Sequence, residues 1–375
     1  MLLNLKYEIF PTEDQKETLD CWLQYCRQTY NSALLDKQRM YKQSKTPYNR
    51  FDMQRQLKLD KEKHVFLKEM PSQPLQEVFI RLDKSFNNFF RREADYPKIK
   101  KYKDYNSMTF PQFGFKPNMT HRYAAFFSEN GKLRLCKLGE IAINMHRAID
   151  GPIKQLIIKR QGNRWYAIFC VERRALPKDI DKNRAVGIDV GLNKYAVLSN
   201  EASFKNPRFL IKTEKKLKKA QRNLAKMKKR SSNFVKQVIK VQQLHEKVSN
   251  QRRDFLHKLS YKLSKDYSII AVENLNIRHM VKNKRLSKSI SDAGWGMFRD
   301  MLFYKCEREG GLLIKVEPAF TTQNCSSCGT SVKKSLSVRT HICKKCGIIL
   351  DRDYNASLNI LQKGMARLDQ HLASV

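Results

Sequence analysis

The alternation of apolar and polar positions changes period several times along the chain. Residues 2–9 alternate with period two, as a half-buried strand does. Pro11 and Thr12 then signal a helix start, with Thr12 placed as the cap and Gln15, three residues on, placed to complete a capping box. Leu19, Trp22, Leu23, Cys26, Tyr30, Ala33 and Leu34 follow at the spacing of one buried helix face. A second helix is expected from about residue 75 to 92, with Leu75, Phe79, Leu82, Phe86, Phe89 and Phe90 as its apolar stripe. That periodicity favours a core role for these aromatics over base stacking.

After a basic turn at residues 96–101 the period shortens. Segments 107–115, 122–127, 131–137, 140–145, 154–160 and 164–172 read as short strands, divided by turns such as Asn130-Gly131 and Gly162-Asn163. Short strands at this spacing predict a small β-barrel joined by strand 2–9, with the helices of residues 12–95 inserted into it. Residues 173–184 form a polar linker. Beyond it, 185–191 reads as a buried strand ending in an acid, with 195–199 and 208–213 as antiparallel neighbours. Residues 268–272 read as a second buried strand, again followed at once by an acid. Between Arg208 and Ala293 there is no Gly or Pro, which predicts a long helix or helical hairpin. Helix 296–308 and strand 312–316 then lead to two cysteine pairs.

Charge turns this outline toward function. The 375 residues hold 74 Lys and Arg against 36 Asp and Glu, a net charge of +38. A surface that positive repels itself unless a polyanion neutralises it, and nucleic acid is the partner implied. Residues 211–265 alone hold 18 Lys and Arg, with Glu214, Glu246 and Asp254 as the acids. A merely solvated helix mixes signs for i,i+4 pairing; one sign favours phosphate contact. Lys215, Lys219, Arg222, Lys228, Arg252 and Arg253 are the candidates there.

Of nine cysteines, Cys21, Cys26, Cys136, Cys170 and Cys306 are scattered, mostly within apolar runs. An odd total without regular spacing argues against a disulfide framework and for a reducing compartment. The start, MLLNLKYEIF, lacks the features of a signal peptide, and no stretch approaches the roughly 18 apolar residues of a transmembrane span. A cytoplasmic location with no membrane partner is expected.

The other four cysteines form matched knuckles, Cys325-Ser-Ser-Cys328-Gly and Cys343-Lys-Lys-Cys346-Gly, separated by fourteen residues. A two-residue gap lets both thiolates face one ion, and the glycine relieves the turn. Four sulfurs close a tetrahedral shell, which predicts a structural Zn²⁺ in a zinc ribbon. An iron–sulfur cluster is the alternative, less suited to glycine-backed knuckles flanking a basic loop of Lys333, Lys334, Arg339 and His341.

Three acidic positions stand out by context. Asp189 closes the strand AVGID, Glu273 closes SIIAVE, and Asp351-Arg352-Asp353-Tyr354-Asn355-Ala356 opens the last helix directly after the ribbon. An acid ending a buried strand must be desolvated, paired or metal-bound. Carboxylates converging from separate strands suit two Mg²⁺ ions that activate water at a phosphodiester.

In that order, GIDVGL, AVENL, CxxCG, CxxCG and DRDYNAS resemble the TnpB family of transposon-encoded RNA-guided DNA endonucleases, relatives of the compact type V CRISPR effectors. The resemblance extends to SKSISDAGWGMFRDML, VEPAFTTQNCSSCG, QRRDFLHKLS and YNSALL. It implies a multidomain α+β fold: a β-barrel wedge domain (1–11 and 96–180) with a helical recognition insertion (12–95). A RuvC nuclease domain of RNase H-like α/β fold (185–319 and 350–375) follows, interrupted by the zinc ribbon (320–349). It implies Asp189, Glu273 and Asp353 as the magnesium-binding catalytic triad, with Asp351 as a cap. Asn355 would orient Asp353, and Arg352 would contact the scissile phosphate. The partners implied are a guide RNA from the transposon end, target double-stranded DNA and a transposase encoded nearby, in a prokaryotic, nucleoid-associated setting. A short flanking motif would be read near Tyr48, Gln73, Gln76 and Lys84. The alternatives are a nuclease-inactive RNA-guided repressor and a transposition accessory protein that needs no guide.

Overall fold

The computed structural model describes residues 1–114, 123–174, 176–177, 180–335 and 338–373, with side chains through residue 370. The chain divides into two compact units, Met1–Arg173 and Arg174–Val375.

In the first unit, β1 (Leu2–Phe10) leads through Thr12 into α1 (Glu13–Ser44). The capping box forms as its spacing requires: Thr12 Oγ1 accepts the Gln15 amide, and Gln15 Oε1 accepts the Thr12 amide. The same Gln15 side chain donates to the carbonyls of Leu138 and Glu140, tying the helix start to the sheet. Helices α2 (Arg50–Lys63) and α3 (Ser72–Phe90) follow, then β2 (Ser107–Phe110), β3 (Ala125–Phe127), β4 (Leu133–Leu135), β5 (Gly139–Ile143), β6 (Ile153–Gln161) and β7 (Arg164–Glu172). The strands order as β2-β6-β7-β1-β5-β4-β3, with every pair antiparallel. Helices and sheet share one core, in which Leu19, Trp22, Leu75 and Leu82 meet Phe110, Leu156 and Phe169.

The anticipated barrel is instead an open seven-stranded sheet: among the described residues no ladder joins β2 to β3. Their ends approach where the Gly114 amide donates to Ala125 O and Gly114 O accepts from Tyr123. Strands of three or four residues are too short to carry the closing register that a barrel needs. Residues 115 and 122, included in strands by their alternation, lie outside the described residues.

The second unit runs β8 (Ala185–Val190), β9 (Lys194–Leu198), β10 (Ser203–Lys205), α4 (Phe209–Ala225), α5 (Ser232–Asp266), β11 (Ile269–Glu273), α6 (Ile277–Met280), α7 (Ser287–Ala293), α8 (Trp295–Arg308), β12 (Leu312–Val316), β13 (Thr340–Ile342), β14 (Ile349–Asp351) and α9 (Arg352–Ala373). Its five-stranded sheet is ordered β10-β9-β8-β11-β12; β8, β11 and β12 are parallel, while β9 and β10 run antiparallel to their neighbours. The third strand therefore lies at Ser203–Lys205, not at 208–213. Residues 209–213 enter α4 because Thr213, Leu217 and Ala220 keep helical spacing into the core. The basic run is a helical hairpin, α4 and α5, with Ser231 capping the second helix through the Phe234 amide. β13 and β14 form a small hairpin of their own. No helix among the described residues is long and apolar enough to cross a membrane.

Helix α9 approaches the sheet at glycines. A Cβ on Gly187 would lie 2.1 Å from Ser357 O and 2.6 Å from Leu361 N; one on Gly364 would lie 2.6 Å from Ala271 Cβ. Backbone atoms cannot give way as a flexible side chain can. Gly187→Ala is thus expected to cost about 3 kcal/mol or more, read as a lowered denaturation midpoint. The pressed helix is the one that carries Asp353 in its first turn.

Candidate metal centre and acidic cluster

The four sulfur atoms of Cys325, Cys328, Cys343 and Cys346 lie within 4.8 Å of one another. Cys325 Sγ is 3.6 Å from Cys346 Sγ, and Cys328 Sγ is 3.5 Å from Cys343 Sγ. A tetrahedron with Zn–S bonds of about 2.3 Å has edges of roughly 3.8 Å, whereas a disulfide needs about 2.05 Å. The spacing fits ligation of one ion. Both knuckles close alike: the amides of Gly329 and Gly347 donate to the carbonyls of Cys325 and Cys343. Each glycine sits at φ +73°, where a side chain would be strained. The Thr330 hydroxyl and amide beside Cys328 pull its thiol down to about 6, toward the thiolate that binds metal.

Glu273 and Asp353 lie near Asp189 at one end of the sheet, without the close gathering of ligand atoms that marks the four sulfurs. β8 and β11 pair in parallel up to Ile188 and Val272, so Asp189 and Glu273 are the next residues on adjacent strands. Asp353, in the first turn of α9, is brought in by the packing of that helix against β8. Asp189 is 8% exposed. Burial raises its carboxyl well above the usual range; Glu273 and Asp353 push it further up, Arg352 opposes them, and Asp351 adds to the rise. Burial also raises Glu273, against the Thr321 hydroxyl and Lys363. Crowded carboxylates desolvated in this way fit a cation better than they fit one another.

The two acids of the third motif separate clearly. Asp351 Oδ1 accepts the amides of Asp353 and Tyr354, and Oδ2 pairs with Lys194 at 3.2 Å, the arrangement of a helix cap. Burial works against it, but those partners hold its carboxyl below the usual range. Asp353 is more enclosed. Arg352 donates to its Oδ1 at 2.9 and 3.1 Å, and Arg339, from the ribbon, lies 3.6 Å from Oδ2. Asn355 does not turn toward Asp353. It accepts the Ser326 amide and donates to Asn324 O, gripping the chain on both sides of Cys325.

The nucleic-acid candidates also sort by environment. Lys215, Lys219, Arg222, Lys228 and Arg253 are exposed along the hairpin. Arg252 is instead committed within the protein: it donates to the backbone and carboxylate of Asp292, which also accepts the Leu210 amide. In the first unit Gln73 donates to Gln112 at 2.9 Å, and Gln76 is exposed. Tyr48 lines a hollow of about 250 Å³ with Gln56 and Asp60, while exposed Lys84 borders one of about 330 Å³ with Tyr30, Arg81 and Lys100. The aromatic stripe of α3 is core only in part. Phe86 is buried and Tyr96 packs edge-on against Phe86 and Phe89, but Phe90, the last residue of the helix, is 70% exposed.

The chain is also similar in sequence to known proteins. The OrfB_IS605 family model, described as "Probable transposase", matches residues 168–284, and a Cas12f1-like TNB domain model matches 295–360. Across 96% of this chain and 89% of the relative, the sequence is 32% identical to a candidate RNA-guided DNA endonuclease of Streptomyces pristinaespiralis. The chain belongs to the TnpB/OrfB_IS605 family. InsQ of Escherichia coli K12, another candidate RNA-guided DNA endonuclease, is 33% identical over 81% of this chain and 77% of its own. A helix-turn-helix model of the family matches residues 1–46, which here form β1 and the single unbroken helix α1. The fold resembles that of a Cas12f1 chain solved with sgRNA and target DNA, with a TM-score of 0.58 and 15% identity over 93% of this TnpB-family chain and 83% of that one.

Proposed function

We propose that this TnpB-family protein is an RNA-guided endonuclease of an IS605-family transposon, cutting double-stranded DNA beside a short flanking motif. The observation that carries the reading is the convergence of Asp189, Glu273 and Asp353 from two parallel strands and a helix start. The strand order around them, three-two-one-four-five in chain order with the last two parallel, supports a RuvC-like nuclease domain of RNase H type. Its segments would be 185–319 and 350–375, with the ribbon at 320–349. Magnesium held by the three carboxylates, as two ions, would supply an activated water and stabilise the leaving oxygen. Arg352 and Arg339 bring two guanidinium groups to the same cluster, the charge that a scissile phosphate needs.

The remaining surfaces then divide the labour. Exposed Lys215, Lys219, Arg222, Lys228 and Arg253 would hold the guide RNA and its heteroduplex by backbone shape, leaving sequence choice to base pairing. The sheet of 1–11 and 96–180 would act as the wedge and the helices of 12–95 as the recognition insertion, with Tyr48, Gln73, Gln76 and Lys84 near the flanking motif. A transposase encoded nearby would move the element. The intact acid cluster argues against a nuclease-inactive repressor. Purification from cells carrying the protein's own locus should yield a discrete RNA from the transposon end. Recovery of the protein without such RNA would sink the guided reading and leave a transposition accessory.

A further inference from the structure

Between β12 and Cys325 the chain lies along α9, which grips it through side chains placed one turn apart. Lys363 Nζ donates to Ala319 O, and Asn359 Nδ2 donates to the carbonyls of Thr321 and Asn324. Asn355 holds Asn324 O and the Ser326 amide, and Gln362 holds Ser326 O. Asn355, Asn359 and Lys363 are spaced i, i+4, i+8, so they form a single row. Within the gripped segment Thr321 is 1% exposed, and its hydroxyl lies between Glu273 Oε1 and Pro318 O. Glu273 ends its strand, and among the described residues no hydrogen bond engages its other carboxylate oxygen.

We infer that Thr321, held by Asn359, is a positioning residue that aims the Glu273 carboxylate at the proposed catalytic cation. A carboxylate has two oxygens and rotates about its last bond. A hydroxyl donating to one oxygen fixes the plane and presents the other to the ion. Thr321 is itself fixed, because its carbonyl is held by the helix that has Asp353 in its first turn and its chain continues directly to the first cysteine knuckle. One polar row thus registers the second acid, the third acid and the zinc site against each other. The ribbon serves the catalytic cation through Thr321 as well as through the start of α9.

This inference rests on the metal-dependent nuclease reading, and direct Mn²⁺ binding separates the two. Mn²⁺ affinity is measured by electron paramagnetic resonance on the full chain, with zinc content and melting temperature recorded for each variant. Wild type should bind Mn²⁺, and Asp189→Asn should bind it weakly. Thr321→Val, which keeps the shape and loses the hydroxyl, should weaken Mn²⁺ affinity on the order of tenfold with zinc retained. Thr321→Ser should restore affinity to within about twofold. Thr321→Ala supplies the same comparison if the valine variant misfolds. Wild-type Mn²⁺ affinity in Thr321→Val or Thr321→Ala would overturn the inference and leave the nuclease reading standing. No Mn²⁺ binding by wild type would overturn both.

Discussion

Asp189→Asn should abolish DNA cleavage, by a factor on the order of 10³ or more, while the protein still carries its RNA and binds a matched target. The substitution keeps size and hydrogen-bonding shape but removes one of three charges that gather at the end of β8. Losing a ligand that stabilises developing charge at a phosphodiester is worth several kcal/mol of barrier, hence the factor. The same change should raise the melting temperature of metal-free protein at neutral pH. Its carboxyl is raised well above its ordinary value, by burial first and then by Glu273 and Asp353. A carboxyl with a raised folded-state pKa favours folding only while it holds its proton, so its cost grows as pH climbs from that value through the folded one. Asparagine removes this cost. Catalysis and stability therefore move in opposite directions, which a residue important only for packing would not show. Plasmid cleavage in Mg²⁺ and a melt in chelator check the two halves.

Cys343→Ser should have the second large effect, here with both properties falling together. Cys343 is buried at 1% exposure, and its sulfur lies 3.5 Å from that of Cys328. Serine offers a harder ligand whose proton is difficult to remove, so the four-sulfur shell loses a member. Zinc binding to small ribbons contributes about 10–16 kcal/mol of apparent free energy, and the knuckles have little apolar core to replace it. Metal analysis should find less than one zinc per chain, with a lower melting temperature. Cleavage should be lost as well, because Asn355 and Asn359 grip residues on either side of Cys325 and up to Thr321. Prolonged chelation of wild type should reproduce all three changes, and zinc should reverse them if the ribbon refolds.

Much of the candidate site is legible in the sequence, for a physical reason. A carboxylate at the end of a buried apolar run is costly unless something pairs with it, so Asp189 and Glu273 announce themselves. The cysteine knuckles do so by spacing, and Thr12 with Gln15 by the reach of two side chains across one helical turn. Features that depend on partners distant in sequence were hidden. Arg252 looks like every other cation of its basic run until Asp292, 40 residues away, is seen to take it. Thr321 reaches Glu273 across 48 residues, and Asn359 acts on backbone carbonyls, which carry no residue signature. β10, at three residues, is too short to alternate, so periodicity points to the helical start of α4 as the strand instead. The barrel failed similarly: alternation reveals strands and their faces, but not whether the last strand returns to the first.

The central claim is that an RNA carried by this protein directs metal-dependent cutting at Asp189, Glu273 and Asp353. It is tested most directly by purifying the protein with the RNA from its own locus and incubating it with a plasmid that matches that RNA. Cleavage in Mg²⁺ that stops in chelator, requires the match and disappears in Asp189→Asn is the result expected. Equal inertness of wild type and Asp189→Asn in Mg²⁺, with RNA bound and the target matched, would contradict the account and leave an RNA-guided binder without nuclease activity.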